Sequence, residues 1–252
     1  MNAGVLYFVV GERGRKKYLD ILKISAKSLK IHMPWLKTAL FTDLDIKKFD
    51  YIDDIIPTKH CEQGGLWIYK WEECLMKSPY EPTLHLDADT YICEPFSEVF
   101  TMLDRFDLVI PLSPHYGWLD RDWHGKPAGF PELACGFMLW KKNEKIDWLF
   151  NRTLELLKKK LTKRADEPYF AVALYESDVR YAIIPWEYTC VFNHPGYLYG
   201  KVKIMHGKDN IVRNAEIFNK DPGKRIFTGE DLIRLDVKNR SRKITETVKY
   251  KK

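Results

Sequence analysis

Asp87-Ala88-Asp89 places two carboxylates one residue apart, at the end of the short apolar run Leu84-His85-Leu86. In an extended chain, residues i and i+2 point to the same side, so Asp87 and Asp89 can face one ion where a strand opens into a loop. Oxygen ligands of this kind suit Mg2+ or Mn2+. The plain alternative is a solvated turn that carries two acids by chance.

The elements that would position such a pair can be followed along the chain. Residues 5–10 form an apolar, β-rich run ended by Gly11, and Tyr18, Ile21, Leu22, Ser25 and Leu29 then recur at helical spacing. Further strands are expected at 38–42, ending at Asp43, and at 52–56. A helix is expected over 66–77, where Trp67, Trp71, Cys74 and Leu75 share a face, followed by the carboxylate-tipped strand at 83–88. A helix near 95–103, strands at 107–112 and 135–140, helices at 145–161 and 168–175, and strands at 181–184 and 202–205 complete the order. Residues 113–132, rich in His, Gly, Pro, Trp and Asp, read as a long loop and a candidate substrate lid. Alternating strands and helices predict an α/β fold with a mainly parallel sheet covered on both faces. Ligands in such sheets bind at the carboxyl ends of strands, where Asp43, Asp87 and His206 all fall.

Composition sets the bounds. A chain of 252 residues, 45% hydrophobic and 14% aromatic, can bury a substantial core and is not of the disordered class. No apolar run approaches the roughly 20 residues needed to span a bilayer, so a cytoplasmic chain is expected, with peripheral membrane contact at most. Cys61, Cys74, Cys93, Cys135 and Cys190 are odd in number and widely spaced, which suggests neither a disulfide framework nor a zinc site. The sequons at Asn151 and Asn239 are then coincidental. The net charge of +6 lies wholly in residues 220–252, which carry 11 Lys/Arg against 5 Asp/Glu, while residues 1–219 balance at 30 of each. This divides the chain into one domain over 1–219 and a basic C-terminal tail over 220–252. Such a tail suits an anionic membrane surface or is a solvated terminus; no nucleic-acid partner is expected, because no binding module accompanies it.

Three chemistries compete for Asp-Ala-Asp-Thr. A haloacid dehalogenase phosphatase needs Asp-x-Asp-x-Thr, but Thr90 comes one place early and Tyr91 holds the required position. A sugar nucleotidylyltransferase would read Gly11-Glu12-Arg13-Gly14-Arg15-Lys16-Lys17 as a phosphate-gripping loop, since glycines let the backbone approach phosphate and basic groups neutralise it. The third reading takes the order of Lys70, Leu86-Asp87-Ala88-Asp89-Thr90, Cys135-Gly136-Phe137, Asp166-Glu167 and His206-Gly207-Lys208 together. Over roughly residues 4–210, this series resembles the GT-A glycosyltransferases, most nearly family 8, which includes glycogenin and bacterial lipopolysaccharide glycosyltransferases.

That resemblance implies a single-domain Rossmann-like GT-A fold and a hexose transferred from a nucleoside diphosphate sugar, such as UDP-glucose or UDP-galactose, to a hydroxyl acceptor with retention. Asp87, Asp89 and His206 would hold Mn2+ or Mg2+. Val9, Val10, Gly11, Asp43, Asp87 and Ala88 would lie along the nucleoside, Lys208 at the diphosphate, and Gly136 and Lys70 at the donor. Asp166 and Glu167 would serve the sugar and the catalytic step with Lys70. The chain departs from the family in four places: Ala134 for the usual Asn, Glu167 for Gln, no polar residue after the first strand, and a compressed His206-Gly207-Lys208. Trp118, Trp123, His115, Asp120 and Asp122 would furnish an acceptor site, and an inverting relative would draw its base from Glu132, Asp120 or Asp122. A silent sugar-nucleotide-binding protein is the reading outside enzymes.

Overall fold

The apolar run near the start becomes β1 (Gly4–Phe8), with Val5, Leu6 and Tyr7 fully buried, as befits a strand covered on both faces. The structure is a computed structural model and describes residues 2–11, 15–60, 65–114, 126–127, 129–159, 165–238 and 241–250. After β1 come α1 (Arg15–His32), β2 (Lys37–Thr42), β3 (Asp54–Pro57) and α2 (Leu66–Tyr69). Then follow β4 (Thr83–Leu86), β5 (Thr90–Ile92), α3 (Glu98–Thr101), β6 (Leu108–Pro111), β7 (Phe137–Trp140), α4 (Glu144–Lys158) and α5 (Glu167–Glu176). The last third holds β8 (Tyr181–Ile184), β9 (Cys190–Val191), β10 (Gly196–Leu198), β11 (Ile204–His206), α6 (Ile211–Asn219), β12 (Arg225–Phe227), β13 (Asp231–Lys238) and β14 (Ser241–Lys249).

Seven strands form the main sheet in the order β3-β2-β1-β4-β7-β6-β8. All run parallel except β7, which is antiparallel to both β4 and β6. The chain moves outward from β1 through β2 to β3 on one side and returns to β4 on the other, so β1 and β4 flank a topological switch point. Two apolar clusters cover the faces: one around Leu6, Trp71, Met138 and Phe170, the other around Val5, Leu29, Leu86 and Phe137. α4 buries Ile146, Leu149, Phe150 and Leu157 at helical spacing, and its Asn143 side chain caps it by accepting from the Ile146 N–H. Among the described residues, no helix is long and apolar enough to cross a membrane.

Three local expectations are corrected. The carboxylate strand ends at Leu86, and Ala88-Asp89 form a tight turn into β5. Extended alternation therefore does not carry Asp87 and Asp89 to one side; a turn does. The stretch 66–77 is not one regular helix, because its α turn gives way to a π-helix over Lys70–Cys74 and a 3-10 turn over Leu75–Lys77. Lys70, Trp71, Glu73, Cys74 and Leu75 are all buried there, and π segments recur at functional sites. Finally, residues 220–250 are not a bare tail. β12 pairs with β10, and β13 and β14 extend the same antiparallel sheet. Phe227, Leu232 and Tyr250 close a third apolar cluster with Phe192, Leu198 and Phe218.

Candidate active site

The site lies at the carboxyl ends of β1 and β4. Asp87 follows β4, and its N–H donates to the Gly136 carbonyl at 2.9 Å as antiparallel β7 begins. Thr90 Oγ1 donates to the Asp87 carbonyl at 2.9 Å and closes the Asp87–Thr90 turn. Buried hydroxyls tie that turn to the fold: Ser25 Oγ of α1 lies 2.8 Å from Thr90 Oγ1 and 3.1 Å from Tyr7 OH of β1. β11, antiparallel to β5, ends at His206 directly opposite Thr90. The Gly207 N–H then donates to the Asp89 carbonyl at 2.9 Å. Gly207 has φ +143°, and a Cβ there would meet the Phe192 ring at 2.6 Å, so the compressed turn after His206 requires glycine.

These constraints bring three ligand atoms together. His206 Nε2 is 3.6 Å from Asp87 Oδ2 and 3.4 Å from Asp89 Oδ1, and one donor atom from each residue lies within 4.8 Å of the others. A Cβ at Gly136 would fall 2.6 Å from Asp87 Oδ2 and 2.8 Å from His206, so the cluster needs a glycine beside it. Two carboxylate oxygens and an imidazole nitrogen, converging on one open side, fit a divalent cation. Burial alone would lower the His206 pKa, but the hydrogen bond and charge of Asp89, with Asp87, outweigh it and raise it.

The pocket beside the cluster measures about 370 Å³. Val9, Val10, Lys70, Asp87, Ala88, Asp89, His206 and Lys208 all line it, as do Phe8, Tyr18, Leu66, Trp67 and His85. Charged and aromatic side chains are interleaved on its wall, Lys70 Nζ lying 5.5 Å from the Trp67 ring centroid. Lys208 Nζ sits over the Tyr18 ring, 4.5 Å from its centroid, and hydrogen-bonds the Tyr18 hydroxyl. Gly11, at φ +81°, donates its N–H to Asp43 Oδ1 at 2.9 Å, and Asp43 also faces His60 Nδ1 at 3.2 Å. Asp43 therefore shapes the loop after β1 and does not line the pocket.

Lys70, expected at the donor, sits inside the protein on the π segment. It is 3% exposed, donates to the Cys135 carbonyl at 3.1 Å, and lies 3.1 Å from Asp166 Oδ2 and 4.0 Å from Asp87 Oδ1. Burial opposes its charge, yet the carboxylates of Asp166 and Asp87 hold its pKa above the ordinary lysine value. For Asp87, burial would raise the pKa, and the Lys70 charge with the imidazole of His85 close by holds it well below the usual carboxylate range. Asp166, 1% exposed, lies behind Lys70 and outside the pocket lining. Trp71 Nε1–H donates to its Oδ2 at 2.9 Å, and Trp71 is itself held by Phe150 and Phe170. Glu167 begins α5 beside it, with a carboxyl pushed up to about 8 by burial and the Asp166 charge.

The structure thus gathers Lys70, Asp87, Asp89, Gly136, Asp166, Glu167 and His206 in one network, with Lys208 and the β1 residues along the open pocket. Glu132 stands apart from the pocket lining, buried, with its carboxyl pKa raised by desolvation and Oε2 without a hydrogen-bond partner. His115, Trp118, Asp120, Asp122, Trp123 and the loop residues Glu12 to Gly14 lie outside the described residues. Sequence reasoning passed over His85 and read Trp67 as a core-facing helix residue, whereas it lines the pocket. The signal for His85 was present: a polar residue inside an apolar strand, two places before Asp87 and so on its side of β4.

The architecture matches that of solved glycosyltransferases. Mouse xyloside xylosyltransferase 1, in its apo form, superposes with a TM-score of 0.52 at 11% identity, covering 84% of this chain and 99% of that one. An active-site mutant of LgtC gives a TM-score of 0.54 at 9% identity, covering 85% of this chain and 93% of that one. These likenesses show a shared GT-A fold. No family description and no curated protein sequence matches the chain.

Proposed function

We propose that the chain is a metal-dependent glycosyltransferase that moves a sugar, a hexose in the first instance, from a nucleoside diphosphate donor to a hydroxyl acceptor with retention. The observation that carries this reading is the convergence of Asp87, Asp89 and His206 at the switch point of a GT-A sheet, in a pocket that also carries lysines and aromatic rings. Cleavage of the donor leaves a diphosphate, and a divalent cation held by these three residues would supply positive charge to it. Lys208, at the mouth beside Tyr18, adds a cation on the diphosphate side. Tyr18, Leu66, Trp67 and Phe8 give the nucleoside an apolar wall. Lys70 keeps Asp87 ionised and ready to bind. Glu167, with its pKa near 8, is largely protonated at neutral pH and can donate a hydrogen bond to a sugar hydroxyl. The excess positive charge of residues 220–252 supports peripheral contact with an anionic membrane surface, checked by co-sedimentation with anionic and neutral vesicles.

The test is incubation with Mn2+ and UDP-glucose, UDP-galactose or UDP-xylose, the last because one solved structure of this fold is named a xylosyltransferase. Release of UDP supports sugar transfer or hydrolysis. Pyrophosphate formed from UTP and a sugar phosphate would instead point to a nucleotidylyltransferase, and tight binding without turnover to a silent binding protein. Asp89→Ala is expected to abolish Mn2+-dependent UDP binding in a folded protein, and unchanged affinity would sink the cation reading.

A further inference from the structure

The two oxygens of Asp87 face different groups. Oδ2 faces His206 at 3.6 Å and the space that Gly136 leaves open. Oδ1 faces inward, 3.3 Å from His85 Nε2 and 4.0 Å from Lys70 Nζ. His85 is 1% exposed on β4, its Nδ1 lies 3.2 Å from the Leu6 carbonyl of β1, and the neutral tautomer that serves Asp87 carries its single N–H on Nε2. Its Nε2 is sealed from solvent and has no well-formed hydrogen bond. The Asp87 carboxylate is the group that Nε2 faces, and the Lys70 ammonium also acts on the ring.

A carboxylate on an otherwise open pocket wall rotates freely about its last torsion and can offer a cation one oxygen or both. The two modes suit different ions. Ca2+ accepts six to eight oxygens and readily takes bidentate carboxylates, whereas Mg2+ demands a near-octahedral shell of closely held single oxygens. A group that occupies Oδ1 from inside the protein removes the bidentate option.

We propose that His85 is a positioning residue that engages Asp87 Oδ1, so that Asp87 meets a divalent cation through Oδ2 alone and the site favours small octahedral ions, Mg2+ and Mn2+, over Ca2+. This rests on the cation reading of Asp87, Asp89 and His206 given above. Lys70 is the second group on Oδ1, but it is committed at shorter range to Asp166 and to the Cys135 carbonyl. His85 is therefore the closer control on the carboxylate plane. Outer-sphere partners of this kind change metal affinity by roughly 10- to 100-fold when removed.

The experiment titrates the full chain with Mn2+, Mg2+ and Ca2+ in the presence of UDP, by calorimetry and by the Mn2+ electron paramagnetic resonance signal, with thermal unfolding as the fold control. His85→Gln carries an amide N–H about as far from the backbone as His Nε2, whereas the shorter His85→Asn does not reach. His85→Phe keeps the ring and removes both nitrogens. Wild type and His85→Gln are expected to share one Mn2+ affinity and one Mn2+ to Ca2+ preference. His85→Asn and His85→Phe are expected to lose roughly 10-fold or more in Mn2+ affinity and less for Ca2+, so that the preference collapses. Wild-type affinity and preference in His85→Asn overturn the proposal, and so does an equal loss for both ions across all three variants. Asp89→Ala in the same titration separates the two readings. If Asp89→Ala loses Mn2+ while the His85 series is indifferent, the role of His85 alone falls; if Asp89→Ala binds Mn2+ like wild type, the cation site itself falls and this inference with it.

Discussion

Lys70→Met replaces the buried ammonium with an uncharged side chain of similar length, and its cost follows from the geometry. Lys70 Nζ lies 3.1 Å from Asp166 Oδ2 and 4.0 Å from Asp87 Oδ1, at 3% exposure. At an effective dielectric constant of about 20, a charge pair at 4 Å is worth about 4 kcal/mol before desolvation. Desolvation of the pair offsets much of that gain, so the pair itself is not where the penalty arises. The variant leaves the Asp166 carboxylate buried with, among the described residues, the Trp71 N–H as its remaining side-chain donor, and breaking a buried pair in this way costs about 3–5 kcal/mol. The assay is guanidinium unfolding of wild type, Lys70→Met, Asp166→Asn and the double variant, read as a double-mutant cycle. The double variant is expected to regain most of the loss, because neither partner is then left buried and charged. The sign of the pH dependence is also set. A lysine whose folded pKa is raised contributes in full below its unfolded value of about 10.4 and loses that contribution only as pH rises through the folded one. The deficit of Lys70→Met is therefore expected to stay level from pH 6 to 9. A deficit below about 1 kcal/mol, as for an exposed ion pair, would refute the buried network, and a deficit that shrinks toward pH 9 would refute the raised pKa.

Three other outcomes follow from the same geometry. Gly136→Ala puts a methyl group 2.6 Å from Asp87 Oδ2, so Mn2+ affinity is expected to fall by roughly 10-fold or more with the fold intact; calorimetry showing no change would contradict the close approach. A cation needs a neutral imidazole, and the His206 pKa is raised, so Mn2+ affinity should climb by up to about tenfold per pH unit below that pKa and level off above it. His206→Gln should lose the steep part, and a flat wild-type profile from pH 5.5 to 8.5 would count against His206 as a ligand. Tyr7→Phe removes the hydroxyl 3.1 Å from Ser25 Oγ at the far end of the chain that reaches Thr90. It should cost about 0.5–1.5 kcal/mol in denaturant unfolding and leave Mn2+ affinity untouched.

The sequence alone determined the order of the seven main-sheet strands and the longer helices, the α/β class and the identity of the acidic pair, because each rests on local physics. Apolar periodicity over five to ten residues is set by which face is buried, and β1, α1, α4 and β8 appear within a few residues of their expected places. Asp87-Ala88-Asp89 is legible because two acids at the end of an apolar strand conflict with a core. What the tertiary structure decided is everything that depends on the charge state of a buried neighbour or on a turn. Lys70 reads as solvated in any local window, since only Asp166, 96 positions later, and the Cys135 carbonyl make its burial tolerable. The segment over Lys70–Cys74 is a π-helix in which Lys70 and Trp71 are both buried. Residues 220–250 look like a basic tail because their apolar positions are sparse, and they become sheet because β10 and Phe218 offer them a partner. His85 shows the limit most directly: its residue type and its place two residues before Asp87 are local facts, but its burial between Leu6 of β1 and the Asp87 carboxylate is set by the sheet around it.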